Sequence, residues 1–359
     1  MNASVAGPNN RYRSLDHWRG FAALWVLIFH AFNAWIAVSP HFLPPLIAAF
    51  CWHGWLGAHI FFVISGYCIA ERTAREFRLR GSVRLFFTDR LLRIFPPYWA
   101  ALAFTLILNL LAQRFNATAD NPSPGGWLDA IASVSASELW WGRPSYLLVA
   151  WTLSYEIGFY LIAALCLGCA LTLNRAWPGY LLASVLFVAA FFPSITNRVP
   201  LLQLWPHFAL GGLVWLLVQH VPHYRPRLWR GTLLLGLVAA YAWWHAPAVD
   251  TTLLFVAGCA WLLLLLQPAD DRMFRSPALR WLGWIGTFSY SLYLVHAPIV
   301  SKFRNLFSRH WQPMDPGAVW VPVAACGLAV AVAWLFYQQV ELRTEAWRKS
   351  FLRRRSYLK

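Results

Sequence analysis

Residues 18–38 read WRGFAALWVLIFHAFNAWIAV. Twenty-one residues of this composition are long enough to cross a bilayer core as a helix. Two residues do not belong in lipid: Arg19 at one end and His30 in the middle. Eleven positions apart, they are separated by about 20° beyond three full helical turns, so both lie on one face. At 1.5 Å per residue the rise between them is roughly 16 Å, about half the hydrocarbon thickness. An imidazole at that depth reads first as a functional site.

The rest of the chain agrees with a membrane reading. Of its 359 residues 59% are hydrophobic and only 12% charged, with a mean hydropathy of +0.48. A soluble domain cannot hide that much apolar surface, so the expected fold class is an all-α polytopic membrane protein. Ten spans are expected, at about 18–38, 56–74, 96–113, 149–173, 179–194, 203–220, 228–246, 250–267, 284–303 and 318–340. The 23 Trp, 25 Phe and 13 Tyr suit aromatic belts at the two interfaces. The net charge of +16 does not point to nucleic acid, because the basic residues sit in short loops between spans. With the N-terminus placed in the cytoplasm, all but six of the 30 Lys and Arg fall on the cytoplasmic side; the six are Arg114, Arg143, Arg198, Lys302, Arg304 and Arg309. That bias predicts an even number of spans with both termini cytoplasmic.

One domain is expected over 1–359, with a short cytoplasmic segment at 1–17 and a basic tail at 341–359 resting on anionic lipid. No cleavable signal peptide is expected, since the first 17 residues are polar. The longest outer loop, about 114–148, is too short for a folded extracytoplasmic domain. Cys166 and Cys169 form a CxxC inside an apolar run with no His or acidic ligand set, so no metal or redox centre is expected.

Four further stretches carry polar chemistry. The inner loop ERTAREFRLRGSVRLFFTDRLLRIFPPYW holds seven Arg and no Lys. Arginine binds phosphate through a planar, bidentate fork, so this loop reads either as topology plus anionic lipid or as a cytoplasmic site for a phosphate-bearing cofactor. Within it Arg90 and Arg93 are three apart and share a helix face, and Asp89 can orient a neighbouring Arg. Glu156, in WTLSYEIGFY, is a carboxylate inside an apolar span and needs a partner there. The stretch IGTFSYSLYLVHAPIV places Tyr290, Tyr293 and His296 on a polar stripe with Ser289 and Ser291; it reads as interhelical hydrogen bonding or as the lining of a cavity. GAHIFFVISGYCIA adds His59, Ser65 and Tyr67, with Gly66 permitting close helix approach.

In this order and spacing, LDHWRGFAALWVLIFH, GWLGAHIFFVISGYCI, RLLRIFPPYW, WTLSYEIGFY and SYSLYLVHAPI resemble the acyltransferase-3 family of membrane O-acyltransferases, over nearly the whole chain. The resemblance implies about ten spans and transfer of an acyl group from cytoplasmic acyl-CoA to a carbohydrate across the membrane. It makes acetyl-CoA the expected donor, a surface polysaccharide (exopolysaccharide or lipopolysaccharide) the expected acceptor, free or lipid-linked, and the bacterial cytoplasmic membrane the expected location. The family's arginine–ten residues–histidine motif falls on Arg19 and His30, and its Arg-x-x-Arg motif on Arg90 and Arg93. The chain departs from the usual pattern at His17 and Trp18, at Ile157 after Glu156, and at Leu342 and Arg343 after Glu341.

The assignment expected from these residues gives Arg19, Arg90 and Arg93 the CoA phosphates. His30 is general base on the acceptor hydroxyl or is itself acylated, and Glu156 or Tyr290 orients it. Tyr290, Tyr293, His296, Trp140 and Trp141 meet the acceptor, the two tryptophans as a sugar-stacking surface or as part of an interfacial belt. Two competing readings are a transporter or flippase for a lipid-linked sugar, which would usually show repeat symmetry that is not visible here, and a membrane scaffold, which has no need of His30 and Glu156 at depth.

Overall fold

A computed structural model describes residues 12–39, 41–114, 125–220, 251–307, 315 and 317–356. Among these the chain is all helix and turn, without strands. In chain order the helices are α1 (Leu15–Val38), α2 (Pro45–Trp52), α3 (Gly57–Arg78), α4 (Val83–Arg114), α5 (Trp127–Val134), α6 (Glu138–Trp141), α7 (Ala150–Thr172), α8 (Trp177–Ala189), α9 (Pro193–Thr196), α10 (Trp205–His220), α11 (Thr251–Leu266), α12 (Asp270–Arg275), α13 (Arg280–Thr287), α14 (Ser289–Phe307), α15 (Trp320–Phe336) and α16 (Leu342–Ser356).

Seven segments are long and apolar enough to cross a membrane: Leu15–Val38, Pro45–Arg78, Val83–Arg114, Ala150–Thr172, Pro200–His220, Thr251–Arg275 and Trp320–Arg353. They match seven of the ten expected spans. The span expected at 179–194 is a 13-residue helix, too short to cross unaided. The one expected at 228–246 lies outside the described residues. The one expected at 284–303 is not a single helix, because the chain breaks at Phe288 between α13 and α14. Helix α14 carries Ser289, Ser291, His296, Lys302 and Arg304, which lower its hydropathy. It tolerates them because Ser291–Val300 are buried by other helices rather than by lipid.

Helix α1 runs through the middle of the bundle, against α2, α3, α13, α14 and α15. Its inward faces include the small residues Gly20, Ala22, Ala23 and Ala31, all buried, and small side chains allow membrane helices to approach closely. The seam with α13 is a backbone contact. A Cβ on Gly20 would fall 2.0 Å from the Leu282 carbonyl oxygen, and one on Gly286 would fall 1.8 Å from that of Asp16. The opposite wall repeats the device, where Gly66 of α3 and Gly211 of α10 each meet a carbonyl oxygen of the other helix. Outside, α4 presents Ile107, Leu110 and Leu111, and α7 presents Leu161 and Leu165, all exposed as lipid-facing surface should be.

The tail packs on the helix bundle. Helix α15 passes through a π-helical turn (Tyr337–Glu341) into α16, which packs on α4. There Arg348 forms an ion pair with Asp89, which is also bonded by Arg90 at 2.5 Å and lies 3.8 Å from Arg72. One buried carboxylate therefore ties α3, α4 and α16 together. Two consecutive prolines, Pro96 and Pro97, follow about two turns after Asp89 in α4. Lacking N–H groups, they leave the Leu92 and Arg93 carbonyls without their usual helical donors.

Candidate active site

A cavity of about 130 Å³ opens beside these arginines. Arg19 reaches it from α1, Ser65 and Cys68 from α3, Arg90 and Arg93 from α4, and Thr152, Glu156 and Tyr160 from α7. Thr287, Ser289, Tyr290 and Tyr293 close another side, around the break between α13 and α14, and Glu341 of the π-helical turn completes the wall. The break puts the first turn of α14 on the cavity.

The three arginines are held differently. Arg19 contacts Asp16 at 3.4 Å and Cys68 Sγ at 3.7 Å. Arg90 is fixed by Asp89, and its Nε is buried without a hydrogen-bond partner. Arg93 has no ion pair among the described residues and keeps an exposed surface while lining the cavity. Its charge faces Glu156 and Glu341. Glu156 accepts hydrogen bonds from Ser65 Oγ at 3.1 Å and from the Tyr160 hydroxyl at 2.5 Å. Glu341 accepts one from Ser291 Oγ at 2.5 Å. The Tyr290 hydroxyl donates to the Ile94 carbonyl at 2.9 Å, pinning α14 to α4. Three guanidinium groups therefore reach the cavity beside the carboxylates of Glu156 and Glu341.

His30 does not line this cavity. It is reached through the Tyr293 layer. Tyr293 lines the cavity, its ring centroid is 5.8 Å from that of His296, and His296 is 5.1 Å from His30. His296 is almost wholly buried, and its Nδ1 bonds the Leu292 carbonyl at 3.0 Å. His30 is half-buried, has no hydrogen bond among the described residues, and lies within electrostatic reach of His296 and of Arg304 near the C-terminal end of α14.

The structure therefore gathers Arg19, Arg90, Arg93, Glu156, Tyr290 and Tyr293 on one cavity and sets His30 and His296 just beyond it. Glu156 does not touch His30 by any hydrogen bond; its partners are Ser65 and Tyr160. Trp140 and Trp141 lie apart from the cavity on α6, exposed to the surroundings. Glu138, at the start of the same helix, is by contrast buried and bonded by Ser145 Oγ at 3.3 Å. Burial pushes the Glu138 carboxyl above its ordinary range. Among the described residues no three His, Cys, Asp or Glu side chains converge as metal ligands.

Sequence reasoning passed over three contributors. Glu341 follows directly on the last apolar run and carries the same signal as Glu156, a carboxylate at the edge of lipid. Tyr160 lies one helical turn after Glu156, the spacing at which side chains meet. Arg348 gave no signal, since one more arginine in a basic tail looks like topology.

Comparison with known proteins bears on the same region. Residues 12–338 match the family described as an acyltransferase domain. The chain is 26% identical over 80% of its length to the peptidoglycan O-acetyltransferase OatA of Listeria monocytogenes, and spans about half (49%) of that protein. It is 28% identical over 93% of its length to the putative membrane-bound transacylase BcsY of Komagataeibacter xylinus, covering 83% of it. It is 26% identical over 94% of its length to nodulation protein 10 of Rhizobium leguminosarum bv. viciae, covering 97% of it. No solved structure matches.

Proposed function

From the premise that this chain belongs to the acyltransferase-3 family, we propose that it moves an acetyl group from cytoplasmic acetyl-CoA to a hydroxyl of a carbohydrate on the far side of the bacterial inner membrane. The observation that carries this reading is the convergence of Arg19, Arg90 and Arg93 on one cavity from two helices far apart in the sequence. Relatives named for O-acetylation of peptidoglycan and for transacylation support the reaction class. The charge bias of the loops supports a cytoplasmic entrance, an even number of spans and cytoplasmic termini.

In this reading the CoA phosphates lie on the arginines and the pantetheine arm runs inward toward Tyr293. The roughly 16 Å rise between Arg19 and His30 is comparable with the reach of that arm, so the thioester arrives beside the Tyr293–His296–His30 group. The acceptor hydroxyl attacks the thioester carbonyl while His30 takes its proton. The new C–O bond forms, the C–S bond breaks, and the proton passes on to the departing thiolate. In the two-step variant the imidazole of His30 is acylated first and then gives the group to the hydroxyl. An acyl-imidazole trapped on His30 by rapid quench and mass spectrometry in the absence of acceptor selects the second route; its absence selects the first. Trp140 and Trp141, exposed on the outer segment, offer stacking faces for the sugar.

The test is reconstitution with labelled acetyl-CoA and membranes of the host. Label reaching glycan in the wild type and not in His30→Ala is the expected result. Unmodified glycan crossing the membrane without label would establish a transporter instead.

A further inference from the structure

His296 presents an unusual demand. It is 1% exposed, and its Nε2 is buried with no hydrogen-bond partner. Its Nδ1 lies 3.0 Å from the Leu292 carbonyl oxygen. A carbonyl can only accept, so Nδ1 carries the hydrogen in the neutral ring and Nε2 holds a bare lone pair. A buried acceptor of this kind calls for a donor. The neighbouring ring with a hydrogen to give is His30, with centroids 5.1 Å apart and planes inclined at 49°. His30 has no hydrogen bond of its own among the described residues. Tyr293, the other polar neighbour, already has its hydroxyl 3.0 Å from Thr152 Oγ1.

We propose that His296 is a positioning residue for His30: its Nε2 accepts the ring N–H of His30 when substrates bind, which leaves the other nitrogen of His30 bare for the reaction. The Leu292 carbonyl, His296 and His30 then form a relay of orientation like that of a carboxylate behind a catalytic histidine, with a neutral imidazole in place of the carboxylate. The two rings are in contact but not hydrogen-bonded in the structure, which suits a contact that tightens only in the loaded enzyme. A neutral partner fits this depth, where an unpaired carboxylate would be costly. Because the ring of Tyr293 is 5.8 Å from that of His296, the cavity wall also reports to the pair.

This inference rests on the O-acyltransferase reading, so its test includes a readout that needs no turnover. Diethyl pyrocarbonate acylates a bare imidazole nitrogen, and mass spectrometry of the full-length protein in nanodiscs, loaded with coenzyme A so that the site is occupied without turnover, reads the modification at His30. The His296→Gln variant keeps an acceptor near the Nε2 position, whereas His296→Asn and His296→Ala do not. Modification of His30 is expected to slow about fivefold or more in the Asn and Ala variants and to stay within about twofold in Gln, and kcat is expected to fall at least tenfold with the KM for acetyl-CoA unchanged and to recover in Gln. Equal behaviour of Gln and Asn, or an unchanged rate in Ala, overturns the proposal. Solid-state 15N NMR of the histidine-labelled wild type reads the tautomer without any variant. A bare Nε2 on His296 is expected, and a hydrogen on that nitrogen overturns the proposal. If the labelling pattern holds while no acyl group reaches any acceptor, the reading as an O-acyltransferase falls and the pairing stands.

Discussion

The hydroxyl of Tyr293 and Oγ1 of Thr152 lie 3.0 Å apart, and this contact joins α14 to α7 at the inner end of the arginine-lined cavity. Thr152 also donates to the Val149 carbonyl at 2.9 Å, so it keeps a partner if the phenol is lost. Tyr293→Phe is therefore expected to cost about 0.5–1.5 kcal/mol, the net worth of one hydrogen bond, with the ring still forming the wall. Thermal unfolding in detergent measures it. An unchanged midpoint would show that the bond contributes nothing.

Asp89 predicts a larger effect. Replacing it with Ala strands Arg90, whose side chain is only 10% exposed, and leaves Arg348, 11% exposed, with Glu345 alone at 3.5 Å. Uncompensated buried charge of this kind costs on the order of 3–5 kcal/mol. Arg348→Ala should cost less, because Asp89 keeps Arg90 and Arg72. The ordering of the two unfolding midpoints is the check, and the reverse order would contradict the hub.

Arg93 is the cavity arginine without an ion pair among the described residues, so its charge is available to a ligand. Arg93→Ala is expected to weaken acetyl-CoA binding about 10- to 100-fold, the worth of a charge-assisted hydrogen bond. Arg93→Lys should recover only part of it, because an ammonium lacks the bidentate fork. Isothermal titration with wild-type protein and both variants decides this, and equal affinity in all three would remove Arg93 from the donor site.

Glu138 carries a pH dependence. Its carboxyl is raised by burial, so the folded state holds the proton more tightly than the unfolded chain. The stability it supplies is complete below the ordinary carboxylate range near 4.3 and is lost as pH rises through the raised folded value. Glu138→Gln mimics the protonated form and should flatten the fall in stability across that window. Unfolding midpoints measured as a function of pH test it, and parallel curves for the two proteins would refute the assignment.

How far residues alone led can be judged from single elements. Arg19, Arg90, Arg93 and Glu156 were legible because a charge at the edge of an apolar run is conspicuous whatever surrounds it. That they share a cavity was not, since side chains from α1, α4 and α7 are brought to one chamber by folding, which leaves no local mark. The break at Phe288 was invisible for a related reason. The stretch around it is apolar and aromatic like a continuous helix, and the interruption is stabilised by tertiary partners such as the Tyr290 bond to Ile94. His296 was read as meeting the acceptor from its place on a polar stripe. Only the structure shows that stripe buried, with His296 set against His30.

Gly286 lies on the cavity wall and is also where α13 touches the backbone of α1. A single hydrogen atom thus serves as both chamber lining and helix seam. Gly286→Ala is expected to destabilise the protein by about 1–3 kcal/mol or more, as overpacking does, and to shift Arg19 along with α1. The chamber cannot be reshaped from this side without moving the arginine that serves it. Variation in what the chamber accepts is confined to the facing helices, where Ser65, Cys68 and Thr152 can change size without touching the seam. Engineering of the chamber should begin there.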